Sequence, residues 1–326
     1  MVSRTMVFLP TAAFFETQIH DWAKAVSAQV PEMHVVVAEL GADPRPLLAT
    51  ADAAFGMPTP EQLAAAPQLQ WLQAPAAAPP PSFFSAELIE HPVVVTNLRG
   101  VYKDNLANHV MAYVLSFARG LPRYAAQQAQ GQWHRDIDDI GIVDIAATTM
   151  LLIGAGEVAV ATATRAHAFG IRVIGVDSFP ERVRAELDAL HHIDELDHVL
   201  PTADWVVMTV PHTPETEAMM HAARFATMKR SAYLINVGRG ETVRLDHLTE
   251  ALANGMIAGA ALDVSEIEPL PNTHPLWSLS NVIITPHVAG YGHDTDAERE
   301  AVIVENAQRF VRGEPLRYVI DKRLRY

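Results

Sequence analysis

The sequence of 326 residues contains no cysteine. That absence excludes disulfide bonds, thiolate nucleophiles and zinc sites built on sulfur, and it fits a protein of a reducing compartment. Basic residues are also scarce, because 24 lysines and arginines stand against 38 aspartates and glutamates and leave a net charge of −14. So acidic a chain has no electrostatic basis for binding nucleic acid or an anionic membrane. We therefore expect neither among its partners.

Long apolar runs are missing as well. No stretch of the sequence approaches the roughly 18 consecutive apolar residues of a membrane-spanning helix. The short apolar run Val7–Leu9 ends at Pro10, and it lacks the longer apolar region and small-residue cleavage site of a signal peptide. We expect a soluble, cytoplasmic protein.

What the sequence does contain is a regular alternation of strand-like and helix-like segments. From Thr149 onward this alternation is typical of parallel βαβ units in a doubly wound α/β sheet. The apolar runs predict strands at 150–153, 172–176, 205–209, 233–236, 258–262 and 282–284. Helices are predicted at 157–169, 246–254 and 293–312.

The region before Thr149 is less regular. Short apolar runs bounded by turn formers predict buried strands at 35–37, 71–73 and 93–95. The proline-rich segment 74–81 is incompatible with a helix interior or a central strand, which predicts a stiff loop. Apolar residues recur every three or four positions from Leu106 to Leu121 and predict a helix packed on the core. The alternative is that part of this helix faces a second subunit.

Length and pattern together predict two domains. One α/β domain covers 101–290. The other covers 1–100, with the tail 291–326 folded back onto it, including an extended segment at Leu316–Ile320.

A glycine-rich loop marks a candidate dinucleotide site. Gly154 and Gly156 follow an apolar strand directly and precede a helix, with the small residue Ala159 at the third position of the motif. The first glycine permits a tight turn, the second allows a pyrophosphate to approach the backbone, and the helix N-terminus favours negative charge. Methyltransferases share this loop, so the motif by itself leaves the chemistry open.

Asp177 strengthens the dinucleotide interpretation. It ends the next predicted strand, where a carboxylate can accept hydrogen bonds from both ribose hydroxyls and repel a 2′-phosphate. The alternative is that Asp177 only caps the following turn. Arg182 and Arg184 lie nearby and weaken the selection, but we predict that NAD is preferred over NADP.

Three downstream segments combine the residue types of a site for a carbonyl acid. Arg239, Glu268 and His287 each follow a predicted strand, so they meet at the carboxyl edge of a parallel sheet, where such folds bind ligands. The arginine fork matches a carboxylate, and the histidine can pass a proton to a developing alkoxide. Glu268 beside His287 is expected to favour the charged imidazolium. The alternative for each residue taken singly is a structural role, in an ion pair, a turn or the core.

These segments resemble the D-isomer-specific 2-hydroxyacid dehydrogenases. The resemblance covers the glycine-rich loop, Asp177, the 210–216 segment Val-Pro-His-Thr-Pro-Glu-Thr, and the three downstream segments in order. The spacings of 29 residues from Arg239 to Glu268 and 19 from Glu268 to His287 are also family-like. It extends over nearly the whole chain and implies two Rossmann-like or flavodoxin-like doubly wound domains with the active-site cleft between them. Region 101–290 would be the NAD-binding Rossmann domain, and 1–100 with 291–326 the substrate domain.

The resemblance implies a reaction and a set of residues. An NAD-dependent 2-oxo acid reductase would use His287 as acid/base with Glu268, and Arg239 as anchor for the substrate carboxylate and carbonyl. It implies homodimers formed through the NAD-binding domain. Residues implied to bind the cofactor are Gly154, Gly156, Glu157, Val158, Asp177, Pro211, Thr216, Val237, Gly238, Asp263 and Gly290. Ala76, Ala77 and Ala78 are expected to bind substrate, and we predict no metal site.

Two departures from the family pattern concern loops. The substrate loop usually has small residues followed by Gly-Val-Asp, whereas here Ala78 is followed by Pro79, which has no N–H to offer. The turn before the dinucleotide motif usually has Gly-Lys and here has 146–148, Ala-Ala-Thr, which we interpret as a surface change.

Two other functions are compatible with this sequence. One is a nicotinamide-dinucleotide-sensing, corepressor-like protein with little turnover. The other is a formate-type dehydrogenase, whose members usually lack the glutamate found here at position 268.

Overall fold

The computed structural model describes residues 4–10, 18–135, 142–183 and 187–326. The chain divides into two compact units, Met1–Val101 with Gly292–Tyr326, and Tyr102–Tyr291. Among the helices of these described ranges, none is both long and apolar enough to cross a membrane.

The first unit is built on a five-stranded parallel sheet. Its strands follow the order β2-β1-β3-β4-β5, the arrangement of flavodoxin-like folds. The elements up to Val101 are β1 (Arg4–Phe8), α1 (Gln18–Gln29), β2 (Met33–Val37), α2 (Arg45–Leu48), β3 (Ala53–Phe55), α3 (Pro60–Ala64), β4 (Trp71–Gln73), α4 (Ala86–Glu90) and β5 (Val94–Thr96). Residues 74–80 form no regular element and lead into one 3₁₀ turn at Pro81–Phe83, which confirms the predicted loop.

The second unit is built on a seven-stranded sheet. Its elements are α5 (Lys103–Ala118), α6 (Leu121–Ala129), β6 (Thr149–Ile153), α7 (Glu157–Ala168), β7 (Arg172–Asp177), β8 (Ala189–His192), α8 (Leu196–Val199), β9 (Trp205–Met208), α9 (Ala222–Thr227), β10 (Tyr233–Asn236), α10 (Leu245–Ala253), β11 (Gly259–Leu262) and β12 (Val282–Ile284). All neighbouring strands pair in parallel, in the order β12-β11-β10-β9-β6-β7-β8. The order reverses between β6 and β9, which is the crevice where doubly wound sheets bind ligands. The predicted doubly wound α/β class is confirmed in both sheets.

Both faces of this sheet are covered. Met150 and Leu152 pack into one apolar cluster while Leu151 and Ile153 pack into another, because successive strand residues point to opposite faces. A strand buried on both sides reads as a continuous apolar run, which is why β6 was visible in the sequence.

Helix α5 packs against the core, as its apolar period predicts. Val110, Val114 and Phe117 are buried in the same cluster as α7 residues. The helix ends earlier than predicted, because Gly120 adopts a left-handed conformation, and Leu121 beyond it is exposed.

The carboxy-terminal segment returns to the first unit. Helix α11 (Thr295–Arg312) ends at Gly313 in the left-handed conformation. Val319 then forms an antiparallel bridge with Thr96, and Ile320 donates its N–H to the Val95 carbonyl. The predicted extended segment Leu316–Ile320 is therefore confirmed only around this bridge, because Tyr318 has a left-handed φ of +59° that interrupts it.

The interpretation of 146–148 as a surface change is wrong for one residue. Ala146 and Ala147 are exposed, but Thr148 is buried, and its hydroxyl accepts a hydrogen bond from the Trp205 indole at 3.0 Å.

Candidate active site

The glycine-rich loop has the shape that a phosphate-binding turn requires. Gly154 has φ +88°, and a Cβ there would lie 2.9 Å from a Val210 side-chain carbon. Gly156 is the extended N-cap of α7 and contributes no side-chain cap to the first turn. The first-turn N–H groups therefore depend on something other than an N-cap side chain, and their partial positive charge suits a pyrophosphate. These residues fit a nicotinamide dinucleotide.

Asp177 ends β7, as predicted, and both its carboxylate oxygens contact backbone. Oδ2 accepts from the Ala155 N–H and Oδ1 from the Phe179 N–H, each at 2.8 Å. The turn-capping role therefore exists, and it also ties the carboxylate to the glycine-rich loop. Each oxygen retains a further lone pair for a ribose hydroxyl. Arg182 stacks over the Phe179 ring at 4.2 Å, and Arg184 lies outside the described residues.

The loop after β9 is held by its own threonine. The Thr216 hydroxyl donates to the Pro211 carbonyl at 2.6 Å and accepts from the Thr213 N–H at 2.8 Å. Pro211 and Thr216, predicted to contact cofactor, thus form one rigid turn beside the reversal point of the sheet.

The loop that carries Arg239 follows β10. The Asn236 amide accepts from the Gly238 N–H and donates to the Arg239 carbonyl, both at 3.0 Å. A Cβ on Gly240 would lie 2.0 Å from the Ser265 backbone, so only glycine lets this loop lie against the next one. Val237 and Gly238 are both buried here.

Arg239 itself is partly buried. Its guanidinium donates to the Gly238 carbonyl at 2.7 Å. Burial lowers the pKa of Arg239, while the negative charges of Glu241 and Glu268 oppose that shift. A guanidinium at low solvation is a strong partner for an incoming carboxylate.

Glu268 and His287 form a hydrogen-bonded pair. His287 Nδ1 lies 2.8 Å from Glu268 Oε2, and Glu268 Oε1 accepts from the Ser265 N–H at 3.1 Å. An Nδ1–H donated to the carboxylate leaves Nε2 as the nitrogen that exchanges a proton with a ligand. The His287 side chain is 51% exposed and the Glu268 side chain 39%, so the pair is accessible from solvent.

Asp263 anchors the loop that carries His287. Its buried carboxylate accepts from the N–H groups of Val288 and Ala289, each at 2.9 Å, and from the Thr285 hydroxyl at 2.5 Å. Its own carbonyl accepts from the His287 N–H at 2.8 Å. The predicted contact of Asp263 with the cofactor remains a prediction.

Residues of α5 also contact this loop, and sequence reasoning missed them. The Tyr113 hydroxyl and His109 Nε2 lie 2.5 and 3.2 Å from Thr285 Oγ1, and Asn105 donates to the Gly290 carbonyl at 3.2 Å. The available signal was the spacing of these polar residues at every fourth position of a helix otherwise assigned to the core.

In the first unit, the predicted substrate loop is held by its carbonyl groups. The Asn97 amide donates to the Ala77 carbonyl at 2.7 Å, and the Leu98 N–H donates to the Ala76 carbonyl at 3.4 Å. Because the N–H and C=O of one trans peptide point in opposite directions, the Ala78 N–H points away from Asn97. Substrate binding by Ala76–Ala78 remains a prediction.

Comparison with known proteins places the chain in a family. The model of the D-isomer specific 2-hydroxyacid dehydrogenase NAD binding domain matches residues 111–289. A glyoxylate reductase of Korarchaeum cryptofilum is 34% identical over 70% of this chain and 69% of its own length. The chain belongs to the D-isomer-specific 2-hydroxyacid dehydrogenase family. A glyoxylate/hydroxypyruvate reductase B of Pectobacterium carotovorum is 34% identical over 87% of this chain and 90% of its own.

Solved structures of 2-hydroxyacid dehydrogenases agree over the full length. The D-isomer specific 2-hydroxyacid dehydrogenase of Xanthobacter autotrophicus Py2, solved with NADPH and MES, superposes with a TM-score of 0.85 at 31% identity, covering 99% of this chain and 100% of its own. Family membership confirms the prediction of an oxidoreductase that acts on a CH–OH donor with a nicotinamide dinucleotide. These relatives are named as dehydrogenases and reductases, so nothing supports the corepressor-like alternative.

Within the described ranges, no group of three or more histidine, aspartate or glutamate side chains has an arrangement that could hold a metal ion.

Proposed function

We propose that this 2-hydroxyacid dehydrogenase reduces a small 2-oxo acid to the D-2-hydroxy acid, with NADH as the preferred cofactor. The observation that carries the proposal is the hydrogen bond between Glu268, on the loop after β11, and His287, on the loop after β12 that Asp263 anchors, with Arg239 on the loop after β10 at the same sheet edge.

The residues that would hold the cofactor lie at the carboxyl edge of the seven-stranded sheet, at the end of β7 and after β6, β9, β10, β11 and β12. Backbone groups of Gly154, Gly156, Glu157 and Val158 would bind the pyrophosphate, and Asp177 the ribose. Val237, Gly238, Asp263 and Gly290 would line the nicotinamide, beside the turn of Pro211 and Thr216. When bound, the reduced dinucleotide supplies the hydrogen and two electrons of the reduction.

His287 would deliver the proton. Glu268 accepts from Nδ1 and stabilises the imidazolium, so Nε2–H can protonate the substrate oxygen as it gains negative charge. In the reverse direction the neutral imidazole takes the proton back, because the same groups serve both directions.

Arg239 would hold the substrate carboxylate and its carbonyl oxygen. Two parallel N–H donors match a carboxylate better than a single ammonium group does. By family resemblance, N–H groups of the Ala76–Ala78 loop would supply further donors.

The choice of substrate and cofactor rests on two arguments. Relatives named as glyoxylate and glyoxylate/hydroxypyruvate reductases support a short, polar 2-oxo acid. The Asp177 carboxylate supports NADH because it would repel a 2′-phosphate, although the Xanthobacter structure was solved with NADPH. By family resemblance, we also propose a homodimer formed through the NAD-binding domain, which sedimentation velocity would test.

The experiment is a steady-state assay of NADH and NADPH consumption with glyoxylate, hydroxypyruvate, pyruvate and phenylpyruvate. We expect the highest kcat/KM for glyoxylate or hydroxypyruvate with NADH. A preference for phenylpyruvate would contradict the substrate class, and a lower KM for NADPH would contradict the cofactor choice. Tight NADH binding without turnover of any 2-oxo acid would contradict the reductase.

A further inference from the structure

Helix α5 contacts the loop that carries His287 through polar side chains that the proposed reaction does not use. We propose that Tyr113 and Thr285 are positioning residues, which fix the His287 loop through a directed chain of hydrogen bonds from Tyr113 through Thr285 to Asp263. The inference rests on the proposed function, because it takes His287 as the proton donor.

The first step concerns Asp263. Asp263 is 3% exposed, and its carboxylate receives three hydrogen bonds, all from residues 285–289. Two come from backbone N–H groups on the far side of His287, and one comes from the Thr285 hydroxyl on the near side. The loop is therefore gripped on both sides of His287, whose backbone has the left-handed φ of +54°. A non-glycine residue holds such a conformation only where its surroundings impose it.

The second step concerns the direction of the bonds. The Thr285 hydroxyl has one hydrogen, and Asp263 as a carboxylate can only accept, so that hydrogen points to Asp263. The Tyr113 hydroxyl, 2.5 Å from the same Oγ1, must therefore donate. Burial, reinforced by the charge of Asp263, raises the pKa of Tyr113 above its ordinary value and keeps this donor protonated.

The third step concerns the helix. His109 Nε2 lies 3.2 Å from Thr285 Oγ1 and, by the same argument, must carry the hydrogen. Burial lowers the pKa of His109, so its neutral Nε2–H form persists to lower pH. Its ring packs edge-on against Tyr113 with centroids 4.6 Å apart, and Asn105 one turn earlier donates to the Gly290 carbonyl. One polar stripe of α5 thus supports both ends of the loop.

The consequence is catalytic rather than only structural. Proton transfer requires His287 within hydrogen-bond reach of the substrate oxygen, and displacement of a reacting group by about 1 Å can cost about 100-fold in rate. A loop released from Thr285 would keep its backbone bonds to Asp263 but lose the side-chain restraint before His287.

The test replaces Thr285 with valine, which has the same shape and no hydroxyl. We expect T285V to lower kcat about 10- to 100-fold, with KM for NADH and for the 2-oxo acid changed by less than about threefold. Thr285→Ser should restore most of the rate because it restores the hydroxyl. Thr249→Val is the matched control: it removes a hydroxyl that bonds the Leu245 carbonyl at 2.7 Å, from a half-buried threonine on α10. We expect it to leave kcat unchanged.

A second readout does not depend on turnover. In protein labelled with ¹⁵N-histidine, the His287 signals are assigned by their absence in His287→Asn. We expect T285V to move the His287 Nδ1 signal toward its position in Glu268→Gln, and Thr249→Val to leave it in place. If T285V fails to fold, Tyr113→Phe removes one hydroxyl farther from the loop and should move the signal in the same direction.

The outcomes separate the two proposals. If T285V keeps its kcat within twofold of the unaltered chain, or leaves the His287 signal unmoved, the positioning role is overturned. Equal losses in T285V and T285S would also overturn it, because the hydroxyl would then be irrelevant. If the unaltered chain reduces no 2-oxo acid, the proposed function fails, while the ¹⁵N signals still decide whether Thr285 positions His287.

Discussion

Two loops of this protein differ in the side chains that they carry. Loop 285–290 carries an ionisable side chain, and it is held by a buried carboxylate, a threonine and residues of α5. Loop 74–81 consists only of alanine and proline, and its carbonyls accept from the side-chain amides of Gln73 and Asn97 and from backbone N–H groups.

The difference separates two kinds of chemistry. A proton donor must be a side chain of suitable acidity, so the sequence shows which residue types can serve as the donor. A backbone N–H donor is present at every residue except proline, so only its direction matters. Mutations should therefore act strongly and specifically at the first loop and weakly at the second, where side chains can change a donor only by turning it.

The largest effect is expected at His287. His287→Ala should lower kcat for reduction of the 2-oxo acid by about 10²–10⁴, because no group then donates the proton. Steady-state NADH oxidation measures this kcat. NADH binding is measured separately by fluorescence, and we expect it to persist. Unchanged turnover would show that His287 is not the proton donor, and the contrast between the two loops would then fail.

A smaller loss is expected at Arg239. Arg239→Lys keeps the charge but offers a single ammonium in place of the planar fork, so kcat/KM for the 2-oxo acid should fall about 10- to 100-fold. Arg244→Lys is the control, because that half-buried arginine pairs with Asp246 and Glu266. Equal losses in the two variants would show that Arg239 has no special role toward the carboxylate.

Glu268→Gln sharpens the comparison by changing one charge. The carboxylate accepts from His287 Nδ1, and glutamine offers only an uncharged acceptor in its place. At neutral pH we expect kcat to fall about tenfold, because the uncharged hydrogen bond is weaker. Glu266→Gln is the control, since Glu266 accepts from the Leu245 N–H and not from His287. A kcat of Glu268→Gln equal to that of the unaltered chain would contradict the pairing.

The smallest effect is expected in loop 74–81. Asn97→Asp keeps the acceptor for the Arg99 N–H but replaces the donor to the Ala77 carbonyl by an oxygen. KM for the 2-oxo acid should rise roughly three- to tenfold with kcat nearly unchanged, because only a backbone donor turns. Asn281→Asp, which loses a similar bond to the Ala258 carbonyl, should leave KM as it is. An unchanged KM in Asn97→Asp would mean that loop 74–81 does not hold the substrate.

The fold was predictable where strand-like and helix-like segments alternate regularly. Strands such as β6 and β10 are largely apolar because the sheet is covered on both faces, and the glycines and prolines beside them mark the turns. The strand β3 was not predicted, because Ala53–Phe55 is only three residues long and its alanines indicate no particular structure. Its neighbours β1 and β4 impose the extended conformation through pairing.

The candidate site was predictable to the same degree. Arg239, Glu268 and His287 each follow a strand, and parallel strands bring their carboxyl ends to one edge whatever the loop lengths between them. The contact between Tyr113 and Thr285 was not predictable, because they are 172 residues apart and only Thr285 lies in one of the downstream segments. Their contact exists only once α5 packs against the sheet.

By itself, the sequence determined the kind of fold, the dinucleotide loop, and the residue types that transfer a proton and hold a carboxylate, because these follow from local periodicity and side-chain chemistry. Only the tertiary structure decided that Asp177 also bonds the glycine-rich loop, that Asp263 grips both sides of His287, and that Asn97 holds the Ala77 carbonyl. The physical reason is that a hydrogen bond depends on distances and directions of a fraction of an ångström and a few tens of degrees. Packing between residues distant in the chain sets those quantities.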